Sequence, residues 1–209
     1  MILTVPGMAV EADDPLALRP GRVIGLEGAT GLGLTRLGFS MLAGAPPACR
    51  VVVVDVRGWI CPLAAWEVGI DPERLAVVRC DDAARWPRVV AALLDGVKAI
   101  YAEVPHGVRE AMLRRLGAKV RAREATVILR PLAGRLPSGV AYLRVQVDRV
   151  VWAGVGKGHG RLDNRTLILE LSGKGAAGRR MVMEVEDDGA HPVRLVSRLA
   201  APEAGRAAG

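Results

Sequence analysis

The chain has 209 residues, 51% of them hydrophobic but with one Phe and two Tyr, and a formal charge of +7 with a pI near 10. That length suits one substantial α/β domain with at most a small appendage, and the aliphatic bias points to a Val, Leu, Ala, Ile and Met core of the kind parallel sheets bury. No apolar run reaches the roughly 18 residues of a membrane span, Met1 to Val10 lacks the pattern of a secretion signal, and the three cysteines, Cys49, Cys61 and Cys80, are odd in number without C-x-x-C spacing, which argues against a disulfide framework or zinc site and fits a reducing cytoplasm.

Met1 to Pro20 reads as a short irregular segment before a domain spanning 21–198. Arg22 to Glu27 is a short apolar strand. It feeds Gly28-Ala-Thr-Gly31-Leu-Gly33-Leu34-Thr35, which spells the phosphate-binding loop G-x-x-x-x-G-K-[ST] with Leu34 in place of lysine. Gly28 and Gly33 have the spacing that lets backbone N–H groups wrap a phosphate chain, and Thr35 stands where a Mg²⁺-binding hydroxyl belongs. The loop's shape is kept, but the cation that offsets β/γ-phosphate charge is gone. Leu34, Leu37, Met41 and Leu42 then recur at helical spacing until Gly44 and Pro46-Pro47 stop the helix.

Val51 to Val54, ending at Asp55, is a continuous β-branched run, the mark of a strand covered on both faces. Cys61 to Val68 reads as a short helix, Asp71 to Arg74 as a turn, and Leu75 to Cys80 as a strand. Trp86 to Leu94 is a helix with Pro87 in its first turn, where a missing N–H is tolerated. Val97 to Glu103 is the next strand. Val108 to Arg123 is an amphipathic helix with Val108, Met112, Leu116 and Val120 on one stripe, and Ala125 to Leu129 is a further buried strand. This cadence predicts a mostly parallel sheet with helices on both faces.

The pattern then changes. Ala141 to Val147 alternates strictly, as in a half-buried antiparallel strand, and Val150 to Ala153, Thr166 to Leu171 and Arg180 to Glu186 follow in the same style. Glycine-rich turns at 154–160 and 173–178 separate them, and 199–209 reads as a disordered tail. The expected fold is a three-layer α/β core with a mixed, mostly parallel sheet and antiparallel C-terminal strands.

A parallel βαβ run that opens with a P-loop and closes in an antiparallel meander resembles the RecA recombinase core over residues from about 20 to 187. In that family an Asp-x-Glu step after the second strand supplies the glutamate that activates water; here Val54-Asp55-Val56-Arg57 puts Arg57 at that position, and Glu103 stands at the family's metal-side aspartate. The recombinase's two DNA-gripping loops correspond to the short connections 104–107 and 131–139. The whole is similar to the RecA-like mutasome accessory proteins of the actinobacterial ImuA type, with 152–162 and 172–177 resembling their glycine-rich C-terminal signature. The resemblance implies a non-catalytic adaptor in damage-induced translesion synthesis, with no cofactor, bound to a catalytically dead Y-family-polymerase-like hub. Alternatives are a DNA-binding RecA-like module, a nucleotide-binding switch, and a cell-division inhibitor of the SulA kind acting on a tubulin-like protein.

Several residues carry these expectations. The P-loop remnant (Gly28, Gly31, Gly33, Leu34, Thr35) is either a weak anion site or a turn kept because it joins strand to helix compactly. Arg57, Trp59, Trp66, Lys157 and His159 are the candidate partner-binding residues, since tryptophan beside arginine is typical of interface anchors. Arg114, Arg115, Lys119, Arg121 and Arg123 form a basic patch that either steers weak, sequence-insensitive DNA binding or is the solvated face of a helix. His106, His159 and His191 have no ligand-spaced neighbours, and Ser40 and Ser138 sit in no nucleophile elbow, so neither metal nor hydrolase chemistry is expected.

Overall fold

The computed structural model describes residues 14–154 and 164–200. Among the described residues nine strands form one sheet: β1 (Arg22–Glu27), β2 (Val51–Asp55), β3 (Leu75–Arg79), β4 (Ala99–Val104), β5 (Thr126–Pro131), β6 (Leu143–Trp152), β7 (Arg165–Ser172), β8 (Met181–Asp187) and β9 (Arg194–Ala200). Their order across the sheet is β3-β2-β4-β5-β1-β6-β7-β8-β9. Strands β1 to β6 pair in parallel and β6 to β9 antiparallel, so the P-loop strand β1 lies in the middle of the sheet between β5 and β6. The fold is an α/β core with a mixed sheet and an antiparallel C-terminal extension.

The helices are α1 (Leu34–Ala43), α2 (Leu63–Trp66), α3 (Trp86–Leu93) and α4 (Glu110–Ala122). Two cores separate along the pleat. On one face Val51, Val53, Tyr101 and Ile128 pack with Leu34, Leu37 and Leu42 of α1. On the other, Val54, Ile100, Ala102, Val127 and Leu129 pack with Trp86 and Val90 of α3 and Leu113, Leu116 and Val120 of α4. Side-chain period two on a strand covered twice explains why β2 and β4 are buried at every residue. The extension is covered on one face only: Leu167, Leu169 and Leu171 alternate with partly exposed neighbours.

The structure revises several sequence boundaries. The segment after β2 is helical only over Leu63–Trp66, because Pro62 removes a donor and Gly69, at φ +91°, turns the chain. The two strands expected at 141–147 and 150–153 are one strand, β6 (Leu143–Trp152), whose register shifts between Val147 and Arg149; the bulge resets the alternation that suggested two strands. Strand β9 was not expected, and the domain extends to Ala200 through it. In α4 the buried stripe is Leu113, Leu116, Gly117 and Val120, with Met112 at 36% exposure, so the apolar face is rotated by one residue from the expected one. Leu16, in the irregular N-terminal segment, is buried in the α1-side core.

Candidate functional site

The P-loop remnant runs from the end of β1 to the start of α1. Gly28 takes φ +151° and Gly33, the residue capping α1, takes φ +79°, backbone that glycine adopts at little cost. Leu34 turns into the core at 2% exposure, so the position of the missing lysine is filled by packing. A cation does stand at the loop, from another part of the chain. Arg165, at the start of β7, lies against Gly33 so closely that a Cβ there would sit 2.7 Å from its Nη2. Arg165 donates to Asp187 through Nε (2.9 Å) and Nη2 (2.6 Å), and its guanidinium lies 5.4 Å from the Trp152 ring centroid. Arg36, in the first turn of α1, donates to the other oxygen of Asp187 (2.8 Å), to Glu67 (2.9 Å) and to the His191 carbonyl (3.0 Å). Asp187, on β8, thus ties the P-loop helix to the antiparallel extension through Arg36, and within the extension it holds Arg165 against Gly33. Burial pushes its carboxyl up, but the hydrogen bonds from Arg165 and Arg36 outweigh burial and hold it below the usual range.

The C-terminal ends of the parallel strands carry three acids, and each is engaged within the chain. Glu27 accepts from Arg144 (2.6 Å) and from the Leu136 amide (3.1 Å). Asp55 accepts from the amides of Gly58 (2.8 Å) and Ile60 (3.2 Å), which folds the loop after β2 back on itself. Glu103, fully buried on β4, accepts from Arg57 (Nη2, 2.5 Å; Nε, 3.1 Å), from its β5 neighbour Arg130 (3.1 Å) and from the amides of Val56 and Arg57. Arg57 thus closes a salt bridge on Glu103. A carboxylate that already accepts from two arginines and two amides has little lone-pair capacity left for a cation. Among the described residues no group of three or more His, Cys, Asp or Glu is placed to hold a metal.

Thr35 is half-buried near Tyr101, whose ring fills the space left by Gly38 in α1; a Cβ on Gly38 would meet it at 2.6 Å. The Tyr101 hydroxyl closes no hydrogen bond with Thr35 or Arg130 beside it, and burial pushes its pKa up to about 12.

The partner-binding candidates divide. Trp59 is 72% exposed and Trp66 45%, with Leu63 at 52% between them. All three are exposed apolar side chains on the loop and short helix after β2. Arg57 lies over the Trp59 ring at 4.8 Å while its guanidinium is bound to Glu103, so a buried ion pair orients the exposed indole. Lys157 and His159 lie outside the described residues. The basic patch is corrected by its ion pairs: Arg114 bonds Glu110, and Lys119 and Arg123 both bond Asp95, at 2.8 and 2.7 Å. Only Arg115 and Arg121 of the five make no ion pair among the described residues, because α4 and the α3–β4 turn supply acids that spacing along α4 only partly reveals. Sequence reasoning missed Arg36, Arg130, Arg144, Arg165 and Asp187; all are basic or acidic residues on apolar strands or helix faces, and a charge in such a run is the signal that was available.

No curated protein gives a significant match to the chain. A family model described as the MT3502 N-terminal domain matches residues 14–137, from the segment before β1 through β5, and thus takes in the P-loop remnant, Asp55, Glu103, Trp59 and Trp66 but not β6 to β9. The match covers more than half of the sequence, and the chain belongs to the MT3502 N-terminal domain family.

Proposed function

We propose that the chain is a non-hydrolytic adaptor that works by binding another protein through the Trp59–Leu63–Trp66 surface. The observation that carries this reading is an exposed tryptophan held in place by an arginine that is itself clamped by a buried glutamate. Large aromatic anchors give most of an interface's energy when they are presented without further ordering cost. The engaged acids at the strand ends and the inward-turned Leu34 support the non-hydrolytic part. The partner is the polymerase-like hub of a damage-induced mutasome, which the resemblance to ImuA-type proteins implies.

Binding of the purified chain to such a hub, followed by calorimetry, tests the reading. Trp59→Ala and Trp66→Ala each weaken binding at least about tenfold, as truncation of an anchor worth ~2 kcal/mol requires, while melting stays cooperative. Normal binding by both folded variants, or no binding by the native chain, overturns it. The same preparation turns over ATP no faster than buffer, and Leu34→Lys does not create turnover because Arg57 and Arg130 still hold Glu103.

A further inference from the structure

A cleft of ≈ 700 Å³ opens at the N-terminal end of the parallel strands, one strand length (about 20 Å) from the P-loop remnant. Four pieces of chain wall it: the start of β1, the second half of α4, the segment before β6, and the turn after β7. No Asp or Glu lines it. Of its cations, Arg144 is neutralised by Glu27, whereas Arg22, Arg121 and Lys174 make no ion pair among the described residues. Arg22 is held instead over the Tyr142 ring, 4.4 Å from its centroid. The remaining lining is largely glycine and serine. Gly117, inside α4, has no packing reason to lack a side chain, since a Cβ there would come no closer than 3.8 Å to anything. A helix-interior glycine costs up to about 1 kcal/mol relative to alanine, and here it keeps the cleft wall low.

We propose that this cleft binds the phosphate backbone of a nucleic-acid strand without reading its sequence. Three unpaired cations on three separate elements, in a space many times the volume of one phosphate, suit successive phosphates better than a single anion. Two of them are arginines, whose forked donors match phosphate oxygens. The Tyr142 ring is already covered by Arg22 on one face, so the cleft offers chiefly charge and hydroxyls. The structure also unites two features far apart in the sequence, the end of the basic helix and the Lys174 turn, while taking Arg114, Lys119 and Arg123 out of play. This surface is distinct from the tryptophan surface, so either proposal can fail alone.

Anisotropy of a labelled oligothymidylate with the full chain tests it. With three phosphates neutralised, the log–log salt slope is about −2 for a single strand, so affinity falls about 20-fold from about 50 to about 200 mM salt. Arg121→Gln with Lys174→Gln, both at exposed positions, lowers affinity at the lower salt at least about tenfold and flattens the slope to about −0.7. Arg115→Gln, the same change of charge on the same helix outside the cleft, leaves affinity within about twofold. The proposal is overturned if the native chain does not bind at the lower salt, or if Arg115→Gln weakens binding as much as Arg121→Gln. It is also overturned if polyglutamate competes as well as the oligonucleotide, which would mark an acidic protein as the ligand, or if inorganic phosphate displaces the strand at equal phosphate concentration.

Discussion

Replacing Asp187 by asparagine tests whether the P-loop helix is fastened to the antiparallel extension by charge. The Asp187 side chain is 1% exposed and accepts from Arg36, Arg165 and the Gly189 amide, at 2.6 to 3.0 Å. Asparagine keeps the shape but leaves two guanidinium groups, 10% and 16% exposed, without their shared counter-charge. Breaking a buried pair by removing one partner costs roughly 3–5 kcal/mol. Arg36 retains Glu67 and the His191 carbonyl, which places the expected loss near the lower end, about 3 kcal/mol. For a domain of this size that is a fall in Tm of about 6–12 °C, read by circular dichroism. The pH dependence has a definite sign. Because the folded-state pKa of Asp187 is depressed, its contribution is complete above the ordinary carboxylate pKa of about 3.9 and is lost as pH falls through the folded value. The gap between native chain and Asp187→Asn is therefore constant from neutral pH to about 5 and closes in stronger acid. A variant that melts within about 2 °C of the native chain at neutral pH, or a gap that persists undiminished in acid, refutes the reasoning.

Four further outcomes follow from the same packing. Glu103→Gln costs about 3–5 kcal/mol in urea titration, because Arg130, with its side chain 6% exposed, loses its counter-charge; adding Arg130→Met recovers most of it, and no recovery would refute a charge origin. Gly38→Ala destabilises by about 1–3 kcal/mol, although alanine is the better helix former by about 1 kcal/mol, because its methyl group drives into the Tyr101 ring; a more stable variant would show that the ring gives way. Tyr101, raised to about 12, contributes stability that is complete below about pH 10 and lost as pH rises through its folded value, so its phenolate absorbance develops together with loss of ellipticity; ionisation in a still-folded chain would contradict this. Tyr101→Phe removes the unpartnered hydroxyl and leaves melting unchanged or slightly raised.

What was legible in the sequence was whatever depends on local period. The run Val51–Val54, the stripe of α1 and Pro87 in the first turn of α3 identify their elements because burial on two faces, a 3.6-residue repeat and a missing donor are local properties. The end of the P-loop was legible for the same reason, since glycine spacing encodes backbone conformation. Strand β9 was not, because Arg194-Leu-Val-Ser-Arg-Leu-Ala pairs with β8 across a register shift and alternates poorly. The face of α4 was misplaced by one residue because Gly117 sits on the buried side, where a period count over large apolar residues does not register it.

The candidate site was legible only as a set of substitutions, Leu34 for lysine and Arg57 for glutamate. Each of these reads as a loss when taken alone. In the folded chain Arg57 and Glu103 neutralise each other, and the same guanidinium lies over Trp59. Removing Arg57 while keeping Glu103 would leave a fully buried carboxylate with Arg130 as its remaining counter-charge and would free the indole from its support. Arg57 thus links the buried Glu103 to the exposed Trp59, and Arg57→Ala is expected to weaken partner binding even though Arg57 is itself only half-buried beneath the ring. Arg57→Lys keeps the charge but not the fork that bonds Glu103 through Nε and Nη2, so it restores stability more fully than it restores binding. Equal recovery of both by lysine would mean that charge alone, without the guanidinium's planar contact, positions the tryptophan.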